Sequence, residues 1–297
     1  MVEKKSVGNT VFNIAVCVLT GAVSLVCLYP MLYVLFASFS DPAQLISHVG
    51  VLYKPLGFST LGYQVVFKNP NVPIGYMNTL FYVAAGTAIN ILMTTLAAYA
   101  LSRKGYKLKK AFTLGIVVTM YIGGGMIPNF LLVRNLGLLN TRLALLLPGA
   151  IATWNMIVMR TAFNAIPASL EESAKIDGAN DFVILFRIFI PVAKATLAVM
   201  VLYYSVGHWN AWFNAMIYLK KRELWPLQLF LREILVANSS GGNTAGSVIA
   251  SADSDFNYLD EVIKYALIII STVPILCFYP FIQKYFNKGV MMGSLKE

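Results

Sequence analysis

The sequence predicts an all-α integral membrane protein with six transmembrane helices and both termini on the cytoplasmic side. Composition comes first: of 297 residues 58% are apolar and 12% charged, against about half and about a quarter in a soluble domain. Long runs come second. Val11 to Ser40, Met77 to Ser102, Ala111 to Val133 and Ala195 to Leu219 carry no charge, and each exceeds the roughly 20 residues that cross a bilayer as a helix. Leu143 to Met159 and Tyr265 to Gln283 are shorter candidates. Barrel strands would be about ten residues long and alternating, so helices are the spanning form. The third observation is the placement of lysine and arginine. With the N-terminus inside, fourteen fall in inner segments and nine in outer ones, the bias that retains basic loops in the cytoplasm.

The first run follows a basic start, as in a secretory signal, but it is longer than a signal core and no small-x-small site ends it. It is therefore a retained helix. Asp41 to Tyr76, rich in proline, glycine and aromatics, is expected to fold onto the outer face of the helices. Residues 1–76 thus form an N-terminal helix with its external segment, 77–283 a membrane core, and 284–297 a cytoplasmic tail. Within the core, Gly123, Gly124 and Gly125 before Pro128 predict a kink. Small residues such as Gly86, Ala97, Ala98, Gly149 and Ala150 allow helices to approach closely in lipid. After the fifth span, WPLQLFLREIL has helical periodicity, and Asn238 to Asp255 is a polar outer segment suited to meeting an external protein.

Several function classes are excluded. A net charge of +10 follows from topology and does not indicate nucleic-acid binding. Cys17, Cys27 and Cys277 all lie inside spans without metal-ligand spacing, so no metal site or disulfide is expected. No HExxH, GxSxG or GxxxxGK[ST] occurs, which leaves no catalytic residue and no ATP site in this chain. An ion-coupled carrier needs ionisable groups at membrane depth; only His208 qualifies. Transport powered from outside the chain remains.

Four of the thirteen acidic residues fall between Glu171 and Asp181, in EESAKIDGAND. Pro167 suits a first turn, and Ile166, Leu170 and Ala174 form an apolar stripe. Glu171 precedes Lys175 by four, the favourable order for a pair. Gly178 fits the left-handed position that closes a helix, so the helix stops near Asp177. Asn180 or Asp181 caps a second one, in which Phe182, Leu185, Phe186, Phe189 and Ile190 give a wide apolar face running up to Pro191.

Glu172-Ser173-Ala174, Asp177-Gly178-Ala179 and Ile190-Pro191 resemble the EAA motif of membrane subunits of binding-protein-dependent ABC importers. Ser173 stands where that motif has alanine, and Ile190 where leucine is common. LLVRNLGLLNTRLALLLPG, VMRTAFNAIP, VGHWNAWFNAMIYL and ELWPLQLFLREIL are similar to the MalG-like carbohydrate-uptake permeases, above all the LplC/YtcP-type subgroup, over roughly Met77 to Gln283. The resemblance implies the type I importer (MetI-like) fold in a bacterial cell membrane. It also implies a homologous second permease subunit, a cytoplasmic ABC ATPase dimer that binds ATP and Mg, and an extracellular solute-binding protein delivering an oligosaccharide. The chain itself would hold no cofactor. Glu171, Glu172, Ala174, Asp177, Gly178, Ile190 and Pro191 would form the element coupled to the ATPase. For the sugar path, aromatic faces and amides are the expected pair: His208, Trp209, Asn210, Trp212 and Asn214, then Trp154 and Asn155. Two alternatives stay open, an ion-coupled secondary transporter subunit and a permease for a non-sugar solute.

Overall fold

The computed structural model describes residues 7–103, 108–239, 261–277 and 280. Among these there is no strand, only one isolated antiparallel bridge between Ser40 and Phe58. The predicted tail 284–297, the segment 240–255 and residues 281–283 of the last predicted span lie outside the described residues. The chain divides into two compact units, Met1–Asn69 with Ile234–Thr272, and Pro70–Glu233 with Val273–Glu297.

In the first unit α1 (Val7–Ser38) is one unbroken helix. Its apolar side chains are exposed on nearly all sides, the state of a helix whose surroundings are lipid. After it, α2 (Pro42–Ser47) starts at Asp41, whose carboxylate accepts from the Gln44 amide at 3.2 Å, and α3 (Leu61–Lys68) follows. The proline-rich segment folds back onto α1: the Leu52 amide donates to the Tyr29 hydroxyl at 3.2 Å.

The second unit begins with α4 (Asn71–Ser102), 32 residues long, which starts six residues before Met77, where the predicted span begins. Then come α5 (Lys109–Tyr121) and α6 (Met126–Asn135). The expected kink is a bend of 116° between them. Gly125 supplies its left-handed turn at φ +83°, a conformation costly for any residue with a Cβ. Next are α7 (Leu143–Leu146), α8 (Thr153–Asn164) and α9 (Ala168–Ile176). A compound helix follows: α10 (Asp181–Ile184), a π-helical turn (Leu185–Phe189) and α11 (Ile190–Val192). Then α12 (Lys194–Trp209), α13 (Phe213–Tyr218), a 3₁₀ turn (Arg222–Leu224) and α14 (Leu227–Ser239) complete this stretch. Residues 261–277 are α15. Among the described residues two helices are long and apolar enough to cross a membrane, Gly8–Ser38 and Asn71–Ser102; α5–α6 and α10–α12 raise this to four if each bent pair is one span.

Three predicted spans are therefore not single helices. Ala111 to Val133 breaks at its glycines. Leu143 to Met159 breaks at Pro148, which has no amide to continue the helical ladder, although Leu147 before it keeps helical dihedrals. The freed backbone does not go unpaired: Asn90 donates to the Gly149 carbonyl at 2.6 Å, and the Ala152 amide donates to the Tyr204 hydroxyl at 3.2 Å. Ala195 to Leu219 breaks between Trp209 and Phe213. Irregular backbone at membrane depth persists only where protein groups or a water-filled path satisfy it.

The core of this unit is the packing of α4 against α12 and α8, with Tyr99, Met156, Met159, Phe163, Leu185, Phe189 and Met200 buried together. Along one side of α4 runs a polar seam. Asn78 donates to the carbonyls of Glu223 and Trp225, and Tyr82 to that of Leu224. Thr87 meets Ser205 at 3.2 Å, and Thr94 meets Tyr204 at 2.6 Å. Such bonds hold helices together where lipid offers no hydrophobic drive, at about 0.6 kcal/mol each.

Candidate functional site

The acidic stretch folds by local rules. Pro167 stands just before α9, with extended ψ of 133°, and Asp177 closes the helix after nine residues. Gly178 takes φ +80°, and the Gly178 and Ala179 amides return to the carbonyls of Lys175 and Ala174 at 3.1 and 2.9 Å, satisfying the helix end. Asn180, rather than Asp181, caps the next helix, accepting from the Val183 amide at 2.9 Å.

The apolar face expected from Phe182 to Ile190 is divided. Leu185 and Phe189 are buried whereas Phe182 and Phe186 are exposed. Pro191 does not end the helix either. A proline ring crowds the carbonyl four residues back, here that of Arg187, and the widened turn removes that conflict; the chain bends by 86° only at Ala193, between α11 and α12.

Within α9 the carboxylates part company. Glu171 is drawn inward: its Oε1 accepts from Lys175 at 2.8 Å and its Oε2 pairs with the Arg103 guanidinium at the end of α4. Arg103 lies 4.1 Å from the Phe189 ring centre and 4.4 Å from that of Tyr99, and the Tyr99 hydroxyl donates to Asp181 Oδ1 at 3.2 Å. Burial alone would raise the Glu171 pKa, but the Lys175 hydrogen bond and the charge and hydrogen bond of Arg103 outweigh it and hold the carboxyl below its ordinary 4.5. Its contribution to stability is full above that ordinary value and fades as the pH falls through the lower folded one. Ala174 is buried, while Glu172, Asp177 and Gly178 are exposed beside Ile176, which is 86% exposed. Arg103 and Ile176 are the residues sequence reasoning missed. The local spacing around 171 holds no trace of a partner 68 positions away, although Arg103 ends a charge-free run and was readable as a helix terminus.

The residues expected on a sugar path separate at the break after α12. His208 Nε2 lies 2.6 Å from Asn90 Oδ1, in a niche that only Gly86 leaves open: a Cβ there would sit 2.4 Å from the ring. Trp209 is buried, edge-on to Tyr76 with ring centres 6.3 Å apart, and Asn155 is buried in α8. Asn210, Asn214 and Trp154 are exposed. Trp212 is half-buried under Arg232, whose guanidinium is 3.5 Å from the ring centre. Among the described residues no carboxylate pairs with Arg232, and no group of His, Cys, Asp and Glu has the arrangement of a metal site.

A broken-helix bundle with a capped acidic helix at one helix terminus has the architecture of an ABC importer's membrane subunit. A crystal structure of a bacterial ABC transporter involved in the import of the acidic polysaccharide alginate contains a chain that superposes with a TM-score of 0.85 and 34% identity, over 95% of this chain and 99% of that one. Among curated proteins, the polygalacturonan/rhamnogalacturonan transport system permease protein YtcP of Bacillus subtilis is 37% identical over 288 residues, covering 97% of this chain and 99% of YtcP. Protein LplC of the same organism is 34% identical over the whole length of both. No family model matches. The chain belongs to the carbohydrate ABC transport permeases, proteins that carry solute rather than transform it.

Proposed function

We propose that the chain is one of two homologous membrane subunits of an ATP-driven importer. The six apolar runs of the sequence are its crossings, α1 and α4 as single helices and α5–α6 and α10–α12 as bent pairs among them, and both termini are cytoplasmic in a bacterial cell membrane. An extracellular solute-binding protein delivers an oligosaccharide. A cytoplasmic ATPase dimer, which holds ATP and Mg, drives the bundle between inward- and outward-facing states. One observation carries the reading. Helix α9 is anchored on one side, by buried Ala174 and clasped Glu171, and offers Glu172, Ile176 and Asp177 on the other. An isoleucine left open between carboxylates on an anchored helix is the make-up of a docking surface. Gly178 sets the bend that keeps this surface clear, and Ile190 and Pro191 secure the following helix.

The sugar path runs by the break after α12, where Asn210, Trp212 and Asn214, with His208 and Trp209 behind them and Trp154 and Asn155 on α8, supply rings and amides. Arg232 over Trp212 favours an anionic sugar, a carboxylate for the guanidinium and a ring face for the pyranose. The structural relative belongs to a transporter involved in the import of the acidic polysaccharide alginate, and YtcP is a polygalacturonan/rhamnogalacturonan transport permease.

Gly178→Val tests the coupling role. Valine at φ +80° costs about 1–3 kcal/mol of strain or reshapes the turn. The variant is expected in the membrane with its partner permease, with less ATPase co-purifying and uptake largely lost. Unchanged uptake removes the coupling role.

A further inference from the structure

We propose that Arg103 is the positioning residue that locks α9 to α4, so that movement imposed on α9 is passed sideways into the bundle instead of being absorbed by the loop. This rests on reading α9 as the seat of the ATPase. Helix α9 is only nine residues long, and both its chain connections are non-helical, Ala165–Pro167 before it and Gly178–Asn180 after it. Pushed at Ile176, a rod on two such joints pivots. A lateral link changes that.

Of the ion pairs among the described residues, only Arg103–Glu171 ties α9 to another element. Its geometry is that of a clasp. The Glu171 and Arg103 side chains are 17% and 16% exposed, so the pair is shielded from the water and salt that weaken surface pairs. The guanidinium plane also lies against Phe189 of the π turn and Tyr99 of α4, and Nη2 donates to Ser102 Oγ at 2.9 Å. Tyr99 in turn holds Asp181 of α10. One side chain thus joins the end of α4, α9 and the π turn, and through Tyr99 reaches α10. Lysine cannot replace it in full, since an ammonium has no plane to lie between two rings while its edge meets a carboxylate. The long helix so engaged, α4, packs on α12 and α8, the helices that bear the proposed path residues.

The test uses the complete transporter, with both permeases and the ATPase dimer in proteoliposomes and its native cysteines replaced. Spin labels are placed at Leu170→Cys on α9 and Leu92→Cys on α4, both exposed positions. ATP with vanadate is the probe. The parent is expected to give one narrow α9–α4 distance, the same in the nucleotide-free and trapped states. Arg103→Gln is expected to broaden and shift that distance on trapping, and to lose uptake while ATPase co-purification and basal ATP hydrolysis persist. Glu171→Gln removes the same pair from the other side and is expected to broaden and shift the distance on trapping in the same way, and Arg103→Lys falls between. A merely structural residue would change both states alike and show no nucleotide-dependent shift. If Arg103→Gln and Glu171→Gln keep the parent's distances in both states, the clasp is overturned while the docking reading stands. If Gly178→Val also leaves ATPase association and uptake intact, the docking reading itself has failed.

Discussion

Between Thr87 and Thr94, α4 is joined to its neighbours by neutral groups, whereas at Tyr99–Arg103 it is joined by charges. In the middle the partners are a hydroxyl, an imidazole facing an amide, and a phenol: Ser205, His208 and Tyr204. At the end they are carboxylates, Glu171 and Asp181. A 32-residue helix is about 48 Å long, so its middle lies at bilayer depth and its end at the water. An ionised group at that depth costs about 2.5 kcal/mol or more, and a neutral hydrogen-bonding group far less. The difference separates two tasks: the middle seam fixes how α4 and α12 fit, and the charged end fixes what moves with α4.

The contrast can be broken first at the seam. Gly86→Ala places a Cβ 2.4 Å from the His208 ring, and the ring cannot retreat without losing Asn90. Overpacking of this kind costs about 1–3 kcal/mol. The purified complex is expected to melt several degrees lower and to lose most uptake; an unchanged melting temperature would show that the seam is slack. A smaller effect is expected beyond the seam. Arg232→Gln should reduce stimulation of the ATPase by an oligogalacturonate-loaded binding protein about tenfold, the loss of one charge-assisted hydrogen bond, with assembly intact. Equal stimulation in parent and variant would remove Arg232 from the path.

Much of the charged end was legible in the sequence because its rules are local. The stop at Asp177, the left-handed Gly178, the Asn180 cap and the Glu171–Lys175 pair all rest on residues no more than about one helical turn apart. The seam was not legible. Asn90 meets residues 59 and 118 positions away, and nothing near Asn90 specifies them. Hydropathy likewise marked where chain is apolar but not where it breaks: Pro148 and the three glycines were visible, yet the break after Trp209 has neither proline nor glycine within it. A period of 3.6 does not anticipate the π turn at Leu185–Phe189 either.

On the proposed function, α9 meets an ATPase with its Glu172–Ile176–Asp177 side. Ile176→Cys, in a cysteine-free background and in the assembled transporter, tests it by cross-linking to single cysteines placed across the ATPase surface. Efficient cross-links to one groove of the ATPase are expected from Ile176→Cys and none from Ala174→Cys, whose position is buried. Absence of any cross-link from position 176, with the complex intact, would contradict it.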